Sequence, residues 1–72
     1  MEFNYSKLFV LIKEKFGTIK GFADSMDLSR VQMSYKLNNH SLWNQKDIVR
    51  AMEILNIEPT NAHEYFFSKK GM

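Results

Sequence analysis

The chain has 72 residues and no cysteine, which leaves room for one small core and excludes disulfides and thiolate metal sites as its support. A 44% hydrophobic and 25% charged composition is that of a soluble globular domain, and the 14% aromatic share supplies the bulk a short chain needs for a core. The net charge of +2 leans only mildly toward polyanions, so a protein partner stays in play beside nucleic acid.

The longest apolar run, Leu8 to Ile12, is five residues, far short of the ~20 that span a bilayer. It is also too short for a secretion signal, so no membrane association and a cytoplasmic location are expected. The chain reads as a single domain over 1–72, with five helical segments and no linker or repeat.

In the first segment Leu8, Ile12 and Phe16 form one apolar stripe at helical spacing, with Tyr5 and Phe9 extending it. Asn4 or Ser6 suits its start, and Gly17 its left-handed end. The second opens at Thr18, an N-cap, and carries Ile19, Phe22, Ala23 and Met26 at helical spacing. The third opens at a second cap, Ser29, and runs to about Asn38. Met33 and Leu37 point inward there, and Asn38-Asn39 suits its stop, because Asn tolerates positive φ.

The fourth has Asn44 as cap with Asp47 three residues on, a variant of the capping box, and an apolar stripe of Ile48, Ala51, Met52 and Leu55. Asn56 ends it. Trp43, just before it, is expected to staple it to the core. Pro59 suits the turn before a short last helix, about residues 60–67, whose apolar content is Tyr65, Phe66 and Phe67. Residues 68–72 are expected to fray.

The stretch from Thr18 to Asn39 fits a helix-turn-helix, which requires a tight turn between two packed helices. Ala23 is small where the helices cross. Phe22, Met26, Leu28 and Met33 form the buried wedge. Asp27 sits in the turn, where positive φ is wanted and Asp is a tolerable substitute for Gly. Ser29 caps the next helix.

Thr18-Ile19-Lys20-Gly21-Phe22-Ala23, Leu28-Ser29-Arg30 and Lys36-Leu37-Asn38-Asn39 resemble the Cro/C1 repressor-type helix-turn-helix family. The flanks Phe3-Asn4-Tyr5-Ser6-Lys7-Leu8, Glu14-Lys15-Phe16-Gly17-Thr18 and Glu64-Tyr65-Phe66-Phe67 resemble a narrower group, the small Cro-like proteins of temperate phages of Gram-positive bacteria. The resemblance covers nearly the whole chain. It implies an all-α, compact four- to five-helix (lambda-repressor-like) domain with the motif at about 18–39, working in the cytoplasm of a bacterial host.

The resemblance makes the third segment the recognition helix, laid in the major groove with its N-terminal residues toward base edges. Its exposed face is then Ser29, Arg30, Val31, Gln32, Ser34 and Tyr35, with Asn38 at the far end. Arg30 would fork onto guanine, Gln32 pair with adenine, and Val31 meet a thymine methyl. Thr18, Lys20 and Asn39 would hold phosphates. Two departures point elsewhere. Ile19 stands where many members carry a backbone-contacting Gln, and Val31 and Tyr35 put apolar and aromatic surface beside a single firm charge, Arg30. Such a patch suits a protein interface.

Two functions follow as expectations. In the first, the domain is an antirepressor in a phage lysis–lysogeny switch. It binds the DNA-binding domain of a CI-type repressor through its helix-turn-helix region, with Ile19, Lys20, Asp24, Asp27, Ser29, Arg30, Val31, Gln32, Ser34, Tyr35 and Asn38 as the candidate contacts, and blocks or alters its operator binding. In the second, it is a Cro-like repressor that binds operator DNA itself. A scaffolding module is a third and weaker reading. Catalysis and cofactors are not expected: His40 and His63 are far apart with no ligand at metal spacing, and no nucleophile–base arrangement is legible.

Overall fold

The computed structural model describes residues 2–69. Among them are five α-helices, α1 (Ser6–Phe16), α2 (Ile19–Ser25), α3 (Arg30–Leu37), α4 (Gln45–Leu55) and α5 (Ala62–Phe66), with a 3-10 turn at Pro59–Asn61 leading into α5. The fold is all-helical. Beyond the helices the described residues include one isolated antiparallel bridge, Phe3 to Lys69.

The helix ends follow from their residues. Thr18, Ser29 and Asn44 each accept, through the side chain, the backbone N–H three residues on, at 3.0, 3.0 and 2.7 Å. At α1 the capping group is Asn4, whose Oδ1 accepts the Ser6 N–H at 2.9 Å. The C-termini repeat one device. Among the described residues Asp27, Asn39 and Asn56 are the non-glycine ones with positive φ, at 58°, 64° and 59°. Behind them Leu28, His40 and Ile57 donate to Ala23, Tyr35 and Met52 at 2.9, 2.8 and 2.8 Å, the long bond of a Schellman motif. Gly17 ends α1 at φ 76°, with its N–H on Lys13 O at 2.9 Å.

Leu8, Ile12, Phe22, Met33, Leu55 and Phe66 are the largest fully buried side chains and draw on all five helices. Each contributes about 1.5–3 kcal/mol by leaving water. Ala23 is buried too, which lets α2 and α3 approach closely. Trp43 packs edge-on against Phe66, ring centres 5.2 Å apart, and against Tyr5 at 6.2 Å, as a staple beneath α4 should.

Three expectations need correction. Phe9 does not extend the core stripe: it is 44% exposed. One residue past Leu8 turns it about 100° around the helix, away from the core. Asp47 does not close a capping box. Its carboxylate lies 3.0 Å from Lys36 Nζ, which also donates to Leu42 O at 2.9 Å and so ties the 38–44 loop to α3. Ser68 and Lys69 are not frayed. Ser68 O accepts the Asn4 N–H at 2.7 Å and Lys69 pairs with Phe3, so the two ends of the described chain hold each other. The rest of that tail, 70–72, lies outside the described residues.

Candidate partner-binding face

The Schellman turn at Asp27 sets α3 against α2, and the residues singled out in the sequence divide according to what their side chains already do. Three are occupied internally. Gln32 completes a capping box: its Oε1 accepts the Ser29 N–H at 2.9 Å while its own N–H donates to Ser29 Oγ at 3.0 Å. Asn38 folds back, its Nδ2 donating to Ser34 O at 2.8 Å and lying 3.3 Å from Ser34 Oγ. Asn39 is turned inward. Its Oδ1 accepts the Phe3 N–H at 3.0 Å and its Nδ2 donates to Phe3 O at 2.9 Å.

That geometry bears on two expected DNA contacts. Asn39 turns both amide atoms onto one backbone residue of the N-terminal segment, so its side chain is committed inward and not aimed at a phosphate. Gln32 has its acceptor oxygen turned onto its own helix start, so the pairing with adenine is not preformed. Ile19 is also half-buried against the core, not a full member of an exposed patch.

The free groups are of another kind. Val31 and Tyr35 are 57% and 53% exposed, and Tyr35 meets His40 edge-on at 5.7 Å. The Arg30 guanidinium makes no ion pair or hydrogen bond among the described residues. Arg30 is the first residue of α3, where the helix dipole disfavours a cation by about 0.3–1 kcal/mol. A charge set against its local electrostatics, with nothing to pair it, points to use by a partner. Asp24 pairs with Lys20 at 3.0 Å and Asp27 with Arg50 at 3.0 Å. Both acids are well exposed, so these pairs are worth little and leave the carboxylates ready to change partners.

Beside α3 lies an open groove of about 870 Å³. It collects Thr18, Ile19, Lys20, Arg30, Ser34 and Asn38 from the sequence-derived set. Thr18 presents its oxygen to Gly21 N–H, as a cap. Across from them the groove is closed by Phe9, Val10 and Lys13 of α1, which the sequence reading did not place on the site. The signal was there: in the run Leu8–Ile12, Phe9 and Val10 fall off the stripe of Leu8 and Ile12, so an apolar pair had to face outward.

A family model described as "Protein of unknown function (DUF739)" matches residues 1–69. No curated protein matches the chain. Among solved structures the chain is similar to the solution structure of the modulator of repression (MOR) of the temperate bacteriophage TP901-1 from Lactococcus lactis. The two are 39% identical with a TM-score of 0.81, over 93% of this chain and 90% of that one.

Proposed function

The chain belongs to the DUF739 family, and on that premise we propose that it is an antirepressor in a phage lysis–lysogeny switch, one that binds a CI-type repressor and blocks or alters its hold on the operator. Similarity to a phage modulator of repression along almost the whole chain supports the role. We read α2, the Asp27 turn and α3 as a Cro/C1-type helix-turn-helix put to use as a protein-binding face, inside the bacterial cell and without catalysis.

One observation carries the choice of protein over DNA. The polar side chains suited to reading bases or phosphates, Gln32, Asn38 and Asn39, are bonded internally, whereas Val31 and Tyr35 stand exposed beside an Arg30 that has no ion-pair partner among the described residues. Tyr and Arg anchor protein interfaces, and Val offers nothing to a phosphate. The exposed carboxylates of Asp24 and Asp27 would meet basic groups of a repressor's DNA-reading surface, and Arg30 an acidic group of the element beside it. Covering that surface competes with the operator directly and needs no conformational change.

Calorimetric titration against the purified repressor DNA-binding domain tests the proposal. Binding is expected, weakened at least tenfold by Arg30→Glu. Glu at the first position of α3 suits the helix dipole, so the variant retains its fold. No binding by the unaltered chain overturns the proposal.

Direct operator binding is the second reading. It draws on Lys13, Lys20 and Arg30, which share one groove. It requires a steep fall in duplex affinity with salt and preference for operator over random sequence.

A further inference from the structure

The α1–α3 groove has a composition that selects its occupant. Its apolar walls include Phe9 and Val10, 44% and 56% exposed. Its described lining holds three cations, Lys13, Lys20 and Arg30, and no carboxylate. We propose that this groove is the docking site for an amphipathic α-helix of a protein partner, apolar along the side laid on Phe9 and Val10 and acidic along the flanks facing Lys13, Lys20 and Arg30. The proposal deepens the antirepressor reading and rests on its claim that this face meets a protein; it adds the outer surface of α1 and the chemistry of the partner element.

The choice of helix follows from backbone hydrogen bonding. An extended segment gains affinity by pairing with an open sheet edge. The groove is lined by α1, the starts of α2 and α3, and short connections, and offers no sheet edge, so a strand laid over Phe9 and Val10 would bury its own N–H and C=O groups without a ladder to pair them. A helix satisfies its backbone internally and presents anchors at i, i+3 or i+4, and i+7.

The acidic flanks follow from charge. Among the described residues Arg30 has no counter-ion and Lys20 has only the exposed Asp24, and Lys13 lies 5.9 Å from the centre of the Phe9 ring, carrying charge to the apolar wall. Duplex DNA answers the cations but not the walls. Phe9 and Val10 donate nothing to phosphate oxygens, and a sugar–phosphate backbone laid over them leaves charged groups against hydrocarbon.

The chain labelled with ¹⁵N is titrated in parallel with three probes: the repressor DNA-binding domain, a helical peptide with Leu at i, i+4 and i+7 flanked by Glu, and a mixed-sequence duplex. The amides of Phe9, Val10, Lys13 and Ile19 are expected to shift with the acidic peptide and with the repressor domain. Lys13→Glu together with Arg30→Glu should weaken the peptide at least tenfold, and the same peptide with Lys replacing Glu should not bind. Shifts at Val31 and Tyr35 with the repressor domain, leaving Phe9, Val10 and Lys13 unmoved, overturn the groove and spare the antirepressor reading. Peptide binding in the groove with a repressor domain that binds nowhere does the reverse. No response to the acidic peptide, or duplex shifts confined to these same amides, overturns the groove.

Discussion

The side-chain amide of Asn39 grips the backbone of Phe3 from both sides, accepting its N–H at 3.0 Å and donating to its carbonyl at 2.9 Å across 36 residues of sequence. The same residue ends α3 in the left-handed conformation, so it closes a helix and anchors the N-terminal segment at once. Asn39→Gly keeps the backbone angle and loses the grip. It is expected to lower unfolding stability by about 1–2 kcal/mol in urea titration and leave partner affinity unchanged. Unchanged stability with weaker duplex binding would restore Asn39 as a phosphate contact.

Gln32 supports its helix from the third position of α3, and glutamate performs the same reciprocal bond there with a charge the helix N-terminus favours. Gln32→Glu should therefore raise stability by about 0.3–1 kcal/mol and leave repressor affinity within twofold. A collapse in affinity would show that the amide reaches a partner.

At Asp27 two effects oppose each other. The residue is strained at φ 58° and paired with Arg50 at 3.0 Å. The pair is exposed and worth at most about 1 kcal/mol, whereas a left-handed residue bearing Cβ costs about 1–2 kcal/mol unless its side chain bonds locally. Asp27→Gly should thus be near neutral in thermal unfolding and Asp27→Ala clearly destabilising, with Ala lower than Gly by about 1 kcal/mol. Equal stability for the two would mean that the turn does not set the relation of α2 to α3.

Burial pushes the Tyr5 hydroxyl above the ordinary tyrosine range. The folded state then holds its proton where the unfolded chain has begun to release it, so unfolding stability falls as pH rises past about 10. Below that pH both states are protonated and the contribution is constant. Denaturation curves between pH 8 and 11 should show the decline, and Tyr5→Phe should reduce it.

The fold was legible because helix ends in this chain are written in local chemistry. Thr18, Ser29 and Asn44 cap, and Gly17, Asp27, Asn39 and Asn56 take positive φ, all through bonds within five residues. The site was less legible because side chains there choose between local and distant partners. Nothing in the order of residues says that Asn39 reaches back to Phe3 and not outward, or that Asp47 prefers Lys36 to its own helix start. Phe9 was misplaced for a simpler reason: in a continuous apolar run every residue looks like core, and the side each faces is settled only when the stripe is fixed.

The most direct test of the central claim is fluorescence anisotropy of labelled operator, titrated at fixed salt with this protein alone and with repressor already bound. The account predicts no rise in anisotropy with this protein alone and release, or a salt-insensitive change, of the repressor–operator complex when it is added. Tight binding to free operator, in preference to random duplex and with the repressor complex undisturbed, would contradict it and make the chain a Cro-like repressor.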